Sequence, residues 1–215
     1  MMLGPQAMEK LRQEVPGRLF PEEELLVVCP VALAGTVQLV RQNRERLSSH
    51  FARGFLWRAE HLAEEYGILP SEGERSARNL AAVAASFEAT LFMPMGEGGF
   101  LACLWKAAEA SQVGLEADLR AVPIRQETIE ICEILSEHPY RLPAAGSYLI
   151  GLAEGERMAV KLRRNGIQAS VIGYVQKGRR RLLYSGGSAR YLDRPSLAEY
   201  REAPEKNNEN TYSTA

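Results

Sequence analysis

MGEGGFLACLWKAAEASQVGLEADLRAVPIRQETIEICEIL, residues 95–135, switches between the two regular structures several times within a short stretch. It follows directly on the apolar run ATLFMPM at 89–95, which reads as a strand. The turn Gly96-Glu97-Gly98-Gly99 breaks that strand, and Leu101, Leu104, Trp105 and Ala108 then fall on one face of a helix. Val113–Leu119 alternates as a half-buried strand does. Pro123 and Gln126 lead into a second helix carrying Thr128, Ile131, Cys132 and Leu135.

The flanks keep the same rhythm. Upstream, Glu24–Cys29 (ELLVVC) is a short strand bounded by Pro30. Gly35 and Thr36 open a helix with Val40, Leu47 and Phe51 at helical spacing. After a break at Arg53-Gly54 comes a helix with Phe55, Ala59, Leu62 and Tyr66, stopped by Gly67 and Pro70. A loop over Pro70–Glu74 precedes an alanine-rich helix over Arg75–Glu88. Downstream, Ser147–Ala153 is a strand, 154–165 a helix closed by Asn165-Gly166, and Gln168–Val175 and Arg181–Ser185 two strands. A turn at Lys177-Gly178-Arg179 joins those last two as a hairpin. The fold class is therefore α/β, a layered mixed β-sheet with helices. It occupies residues 24–195, between an N-terminal extension (1–23, with one short helix around Met8–Val15) and a polar tail (196–215) expected to be disordered.

Composition narrows the function classes. A formal net charge of −1 gives no global pull toward nucleic acid or anionic membrane. No apolar run is long enough to span a bilayer and no secretory signal is evident, so a cytoplasmic protein is expected. Cys29, Cys103 and Cys132 are scattered in apolar stretches and read as buried small hydrophobes. His50, His61 and His138 lack clustered ligands and read as surface or boundary residues, so no metal site is expected. Lys177, Arg179, Arg180, Arg181 and Arg190 form a basic patch without the aromatic platforms of a nucleic-acid site, which reads as a solvated turn. Glu22, Glu23, Glu24, Glu64 and Glu65 read as solvated or paired, and no residue set reads as catalytic.

The glycine turn is the one local feature that suggests a ligand. A strand, a turn and a helix start bring free N–H groups and a positive dipole end together, which suits phosphate. The Lys-Ser/Thr of a Walker loop is missing, and Leu101 stands where a dinucleotide fingerprint has its third glycine. A tight turn packing a helix on a sheet explains the same residues.

Residues 95–135, with Val122-Pro123-Ile124-Arg125-Gln126-Glu127-Thr128, His138-Pro139-Tyr140-Arg141-Leu142 and Ala145-Gly146-Ser147-Tyr148-Leu149-Ile150, resemble the C-terminal domain of the AIR synthase-related (PurM-like) superfamily. Leu25–Arg46 and Ala169–Val175 resemble further pieces in the same order, so the resemblance covers roughly 24–195. Hydrogenase maturation factors of the HypE type look closest, through the PIRxET-like link and the closing Tyr191-Leu192-Asp193-Arg194-Pro195. The resemblance implies that the glycine turn faces a cleft shared with an N-terminal ATP- and magnesium-binding domain. It makes Gly96, Glu97, Gly98, Gly99, Gly146 and Ser147 the phosphate- or ligand-binding candidates.

Three departures shape the functional expectation. Only 23 residues precede the domain, which leaves no room for the nucleotide-binding half. Pro94 stands where the family turn carries an Asp, and offers neither a carboxylate for magnesium nor an N–H for phosphate. The hydrogenase factor acts through a C-terminal cysteine, whereas no cysteine follows Cys132. The expectation is a non-catalytic binding or assembly module. Its expected partners are a second copy, a separately encoded N-terminal-half protein or a small anionic ligand, and neither nucleic acid nor membrane. The alternative is a nucleotide-dependent enzyme subunit completed in trans, and only then would ATP and magnesium be cofactors.

Overall fold

A computed structural model of the protein describes residues 3–66 and 70–195. The predicted tail at 196–215 and the stop at Gly67 lie outside the described residues. Along the chain run α1 (Pro5–Glu14), β1 (Glu24–Val28), α2 (Leu33–Gln42), α3 (Arg44–Ser48), α4 (Arg53–Glu60), α5 (Leu62–Glu65) and α6 (Pro70–Ser86). Then come β2 (Leu91–Pro94), α7 (Gly99–Ser111), β3 (Gly114–Asp118), α8 (Gln126–Leu135) and β4 (Tyr148–Leu152). The chain closes with α9 (Gly155–Arg164), β5 (Ala169–Gln176), β6 (Arg181–Ser185) and β7 (Ser188–Tyr191).

The strands form one seven-stranded sheet in the order β2-β4-β1-β5-β3-β6-β7. Every pairing is antiparallel except β3 with β6, so the sheet is mixed as expected. Alternation along the strands separates two cores. Leu25, Val27, Leu91, Met93, Leu149, Leu115 and Leu183 share one core with Phe100 and Leu104 of α7. Leu26, Val28, Ile150 and Leu152 share the other with Leu80 and Ala84 of α6 and Met158, Ala159 and Leu162 of α9. A separate helical cluster joins Val40, Leu47, Leu56, Ala59 and Ile131 of α2, α3, α4 and α8.

Three expectations about the elements change. The strands at 168–176 and 181–185 do not form a hairpin: β3 lies between them, antiparallel to β5 and parallel to β6. Gly173 makes this possible, since a Cβ there would collide with the Glu116 carbonyl. The actual hairpin is β6–β7, turning at Gly186-Gly187, both at positive φ. Pro70 begins α6 instead of ending the helix before it, because a first-turn proline lacks only an N–H that would be orphaned anyway. The long helix expected from Gly35 to Phe51 is divided at Asn43, whose side-chain amide donates to the Leu39 carbonyl.

Arg181 also leaves the solvated patch. It is buried, and its guanidinium lies 2.7 Å from Glu109 Oε2 on α7 and over the Trp105 ring. Glu23 is likewise buried, accepting from the Phe20 N–H and the Thr90 hydroxyl. Three further cations of that patch, in the β5–β6 connection, find local partners: Lys177 with Glu22, Arg180 with Glu116, and Arg179 with the Gln112 side chain. The N-terminal segment is tied in closely. Leu11, Val15 and Leu19 enter the first core, and Gly17 bridges Leu91 on edge strand β2.

Candidate functional site

The glycine turn starts where β2 stops. Pro94 pairs with Tyr148 at the first position of β4, and beyond it the Met95 N–H donates to the Ser147 carbonyl at 2.9 Å. The Gly96 carbonyl accepts from both Gly99 N–H (3.0 Å) and Ala144 N–H (3.2 Å). The structure thus brings the two candidate segments, 96–99 and 146–147, together at one end of the sheet. α7 begins at Gly99 with Gly98 as its N-cap; the Gly99 N–H is taken by the Gly96 carbonyl, and the amides that follow it in the first turn have no partner within the helix.

The six candidates take different roles within that cluster. Gly99 is buried at φ +67, and a Cβ there would meet the Leu142 carbonyl oxygen at 2.5 Å and the Tyr140 carbonyl oxygen at 2.9 Å. The 3-10 turn at Pro139–Arg141 therefore seals it, anchored by the Tyr140 hydroxyl donating to the Leu119 carbonyl. Ser147 is fully buried, and its hydroxyl donates 2.7 Å to the Pro30 carbonyl. Gly146 supplies the φ +90 that turns the chain into β4. Gly96 and Glu97 are exposed and Gly98 half-exposed. Gly96 has no atom within 4 Å of where a Cβ would stand, so the open part of the turn is 96–98.

Sequence reading missed the third side of this cluster. Between β1 and α2, Cys29 and Ala32 both adopt φ +65, a conformation that neither residue type announces. The Ala32 carbonyl accepts the Thr36 hydroxyl at 2.8 Å, and Thr36 shares a buried 2.8 Å hydrogen bond with Thr128 of α8. Beside Thr128, the half-buried Arg125 bonds Glu127 and donates to the Tyr66 hydroxyl. The PIRQET stretch therefore acts as a brace for the loop behind the glycine turn.

The electrostatics offer little reactivity. Burial pushes the Cys29 thiol up to about 11 and the Cys103 and Cys132 thiols up to about 12, which keeps all three protonated near neutrality. The neighbouring Tyr148 hydroxyl is also raised, first by burial and then by Cys29. Glu97 is the only ionisable side chain among the six candidates. Among the described residues, no three His, Cys, Asp or Glu side chains group as metal ligands, and no helix is long and apolar enough to cross a membrane. What this end of the sheet can offer is amide donors and a helix dipole.

Comparison with known proteins gives this arrangement a lineage. The family model described as "AIR synthase related protein, C-terminal domain" matches residues 58–184, more than half of the chain. Carbamoyl dehydratase HypE of Rhodobacter capsulatus is 30% identical over 189 residues, covering 85% of this chain and 51% of that protein. The solved structure of the hydrogenase maturation protein HypE in complex with ATP superposes with a TM-score of 0.57 at 20% identity, covering 83% of this chain and 52% of its own. HypE in its complex with HypF gives 0.58 at 16% identity, covering 83% and 55%. The chain spans about half the length of the relatives it matches. By sequence family and by fold, this chain belongs to the AIR synthase related proteins, as a C-terminal domain of that family.

Proposed function

We propose that this chain is a binding or assembly module of the AIR synthase related family that performs no chemistry alone, with the open turn Gly96-Glu97-Gly98 as contact for a small anionic ligand. The observation that carries the reading is the division of labour at the glycine turn. Gly99 and Ser147 are committed to backbone packing, whereas residues 96–98 stay open at the start of a 13-residue helix. Amide donors at a helix start favour an anion without activating it. A magnesium-bound triphosphate does not fit this chain alone, because Pro94 and a single carboxylate, Glu97, stand at the turn. The three free, protonated thiols suit a reducing, cytoplasmic location.

A second reading is favoured by one specific observation. A HypE that this fold resembles was solved with ATP, and this chain covers 52% of it. On that reading, a separate nucleotide-binding chain completes the protein as an enzyme subunit.

The two separate cleanly in solution. Thermal-shift screening against phosphorylated metabolites should find a stabilising anion, because a ligand of the folded state raises apparent stability. Calorimetry with ATP and magnesium should show no binding to the chain alone. Sedimentation should show self-association, or a complex when a nucleotide-binding half is added. ATP turnover by that mixture would replace the module reading with the second one.

A further inference from the structure

A groove remote from the glycine turn carries a different chemistry. Helix α9 packs on the face of the sheet opposite α7, burying Gly155, Met158, Ala159 and Leu162. Its other side, with Phe87 from the end of α6, lines an open groove of about 480 Å³ formed by Arg157, Val160, Lys161, Arg164, Asn165 and that ring. Lys161 Nζ lies 5.2 Å and the Arg157 guanidinium 5.8 Å from the centroid of Phe87, so the ring holds two cations in place.

The same helix shows what a structurally employed cation looks like. Arg163 donates to the Ala169 carbonyl and pairs with Glu156. Arg157 pairs with Glu154 at the rim. Among the described residues, no carboxylate pairs with Lys161 or Arg164. Cations near a helix C-terminus complement the dipole, which accounts for their sign. It does not account for an apolar floor of Phe87 and Val160 left open between them.

We propose that this groove docks an acidic amphipathic segment of a partner protein, with carboxylates on Arg157, Lys161 and Arg164 and one apolar side chain on Phe87 and Val160. Charge complementarity selects the occupant. At 1.5 Å of rise per residue, the three cations spread over roughly 10 Å along the axis instead of converging on a point, which suits several carboxylates better than one phosphate. Among the described residues lining the groove Phe87 is the one aromatic ring, whereas single-stranded nucleic acid calls for successive stacking platforms.

The test uses the full chain and a fluorescein-labelled synthetic peptide, with glutamates at i, i+3, i+4 and i+7 helical spacing around one leucine. Anisotropy at low ionic strength should give saturable binding that weakens with added salt. Lys161→Glu/Arg164→Glu should weaken it about tenfold or more. The neutral pair Lys161→Gln/Arg164→Gln, with an unchanged melting profile, should also weaken it and guards against misfolding. Phe87→Ala, or a peptide with serine for leucine, should cost about three- to tenfold, and no loss in either overturns the apolar contact on Phe87. The proposal is overturned by no saturable binding or by equal binding to the neutral pair. Displacement of the peptide by tripolyphosphate or an oligonucleotide at matched charge, with no effect of the leucine, overturns it too.

Discussion

Gly96 and Gly99 stand three positions apart in one turn and make opposite predictions. Gly99 is at φ +67 with carbonyl oxygens on the side a Cβ would occupy, whereas Gly96 faces open space. Gly99→Ala should cost about 2–4 kcal/mol, combining left-handed strain with a backbone collision. Gly96→Ala should change stability by less than about 1 kcal/mol. Urea unfolding of the two variants checks this, and anion-induced thermal shifts of Gly96→Ala show whether the open part of the turn is used. The buried thiols add a pH signature. Cys103 ordinarily titrates near 9.0 but is raised to about 12 by burial. A raised folded value means its contribution is complete below pH 9 and is lost as pH climbs toward 12, since only the unfolded chain releases the proton early. Stability measured from pH 8 to 11 should therefore fall less steeply in Cys103→Ala than in the parent; parallel slopes would contradict the assignment.

At the level of elements, the sequence was most readable where a segment is long and periodic, and least where pairing depends on distant residues. The α7 helix, the alternation in β3 and the α9 stop at Asn165-Gly166 are local patterns, and each formed within a few residues of its expected bounds. The Gly178 turn is equally real, at φ +85, but a turn signal reports that the chain reverses and not what lies beside it. β3 enters between β5 and β6 from some sixty residues upstream, and Gly173 is the residue that allows the close approach. Local signal for the true hairpin was present in Ser185-Gly186-Gly187-Ser188. The candidate residues could be named from the sequence, but that the glycine turn and the Gly146-Ser147 segment meet is visible only in the structure. Nor was their division into sealed and open residues legible, since Ser147 depends on Pro30 and Gly99 on the 140–142 backbone. Gly173→Ala should cost more than about 3 kcal/mol and raise amide exchange in β3 and β5 ahead of β1 and β4. Uniform loss of protection across the sheet would instead mean that β3 is not a separable addition.

For the whole molecule, the open question is how far the N-terminal segment belongs to the domain that the family resemblance delimits from residue 24. Leu11, Val15 and Leu19 are nearly or fully buried, the Leu19 N–H donates to the Ser111 hydroxyl at the end of α7, and the Arg18 N–H donates to the Thr90 carbonyl. Gly17 also bridges Leu91, so this segment lies along the outer edge of β2, the sheet edge opposite β7. Removing residues 1–19 would take out three core side chains, Leu11, Val15 and Leu19, whose burial is worth about 1.5–3 kcal/mol each, and free a hydrogen-bonding edge at β2. The expected outcome is a melting point lower by more than about 10 °C and concentration-dependent association through the bared edge. Calorimetry and light scattering on the truncated chain measure both. A truncated chain that melts and sediments like the parent would make 1–23 a passive extension, and would move the boundary of the folding unit back to β1.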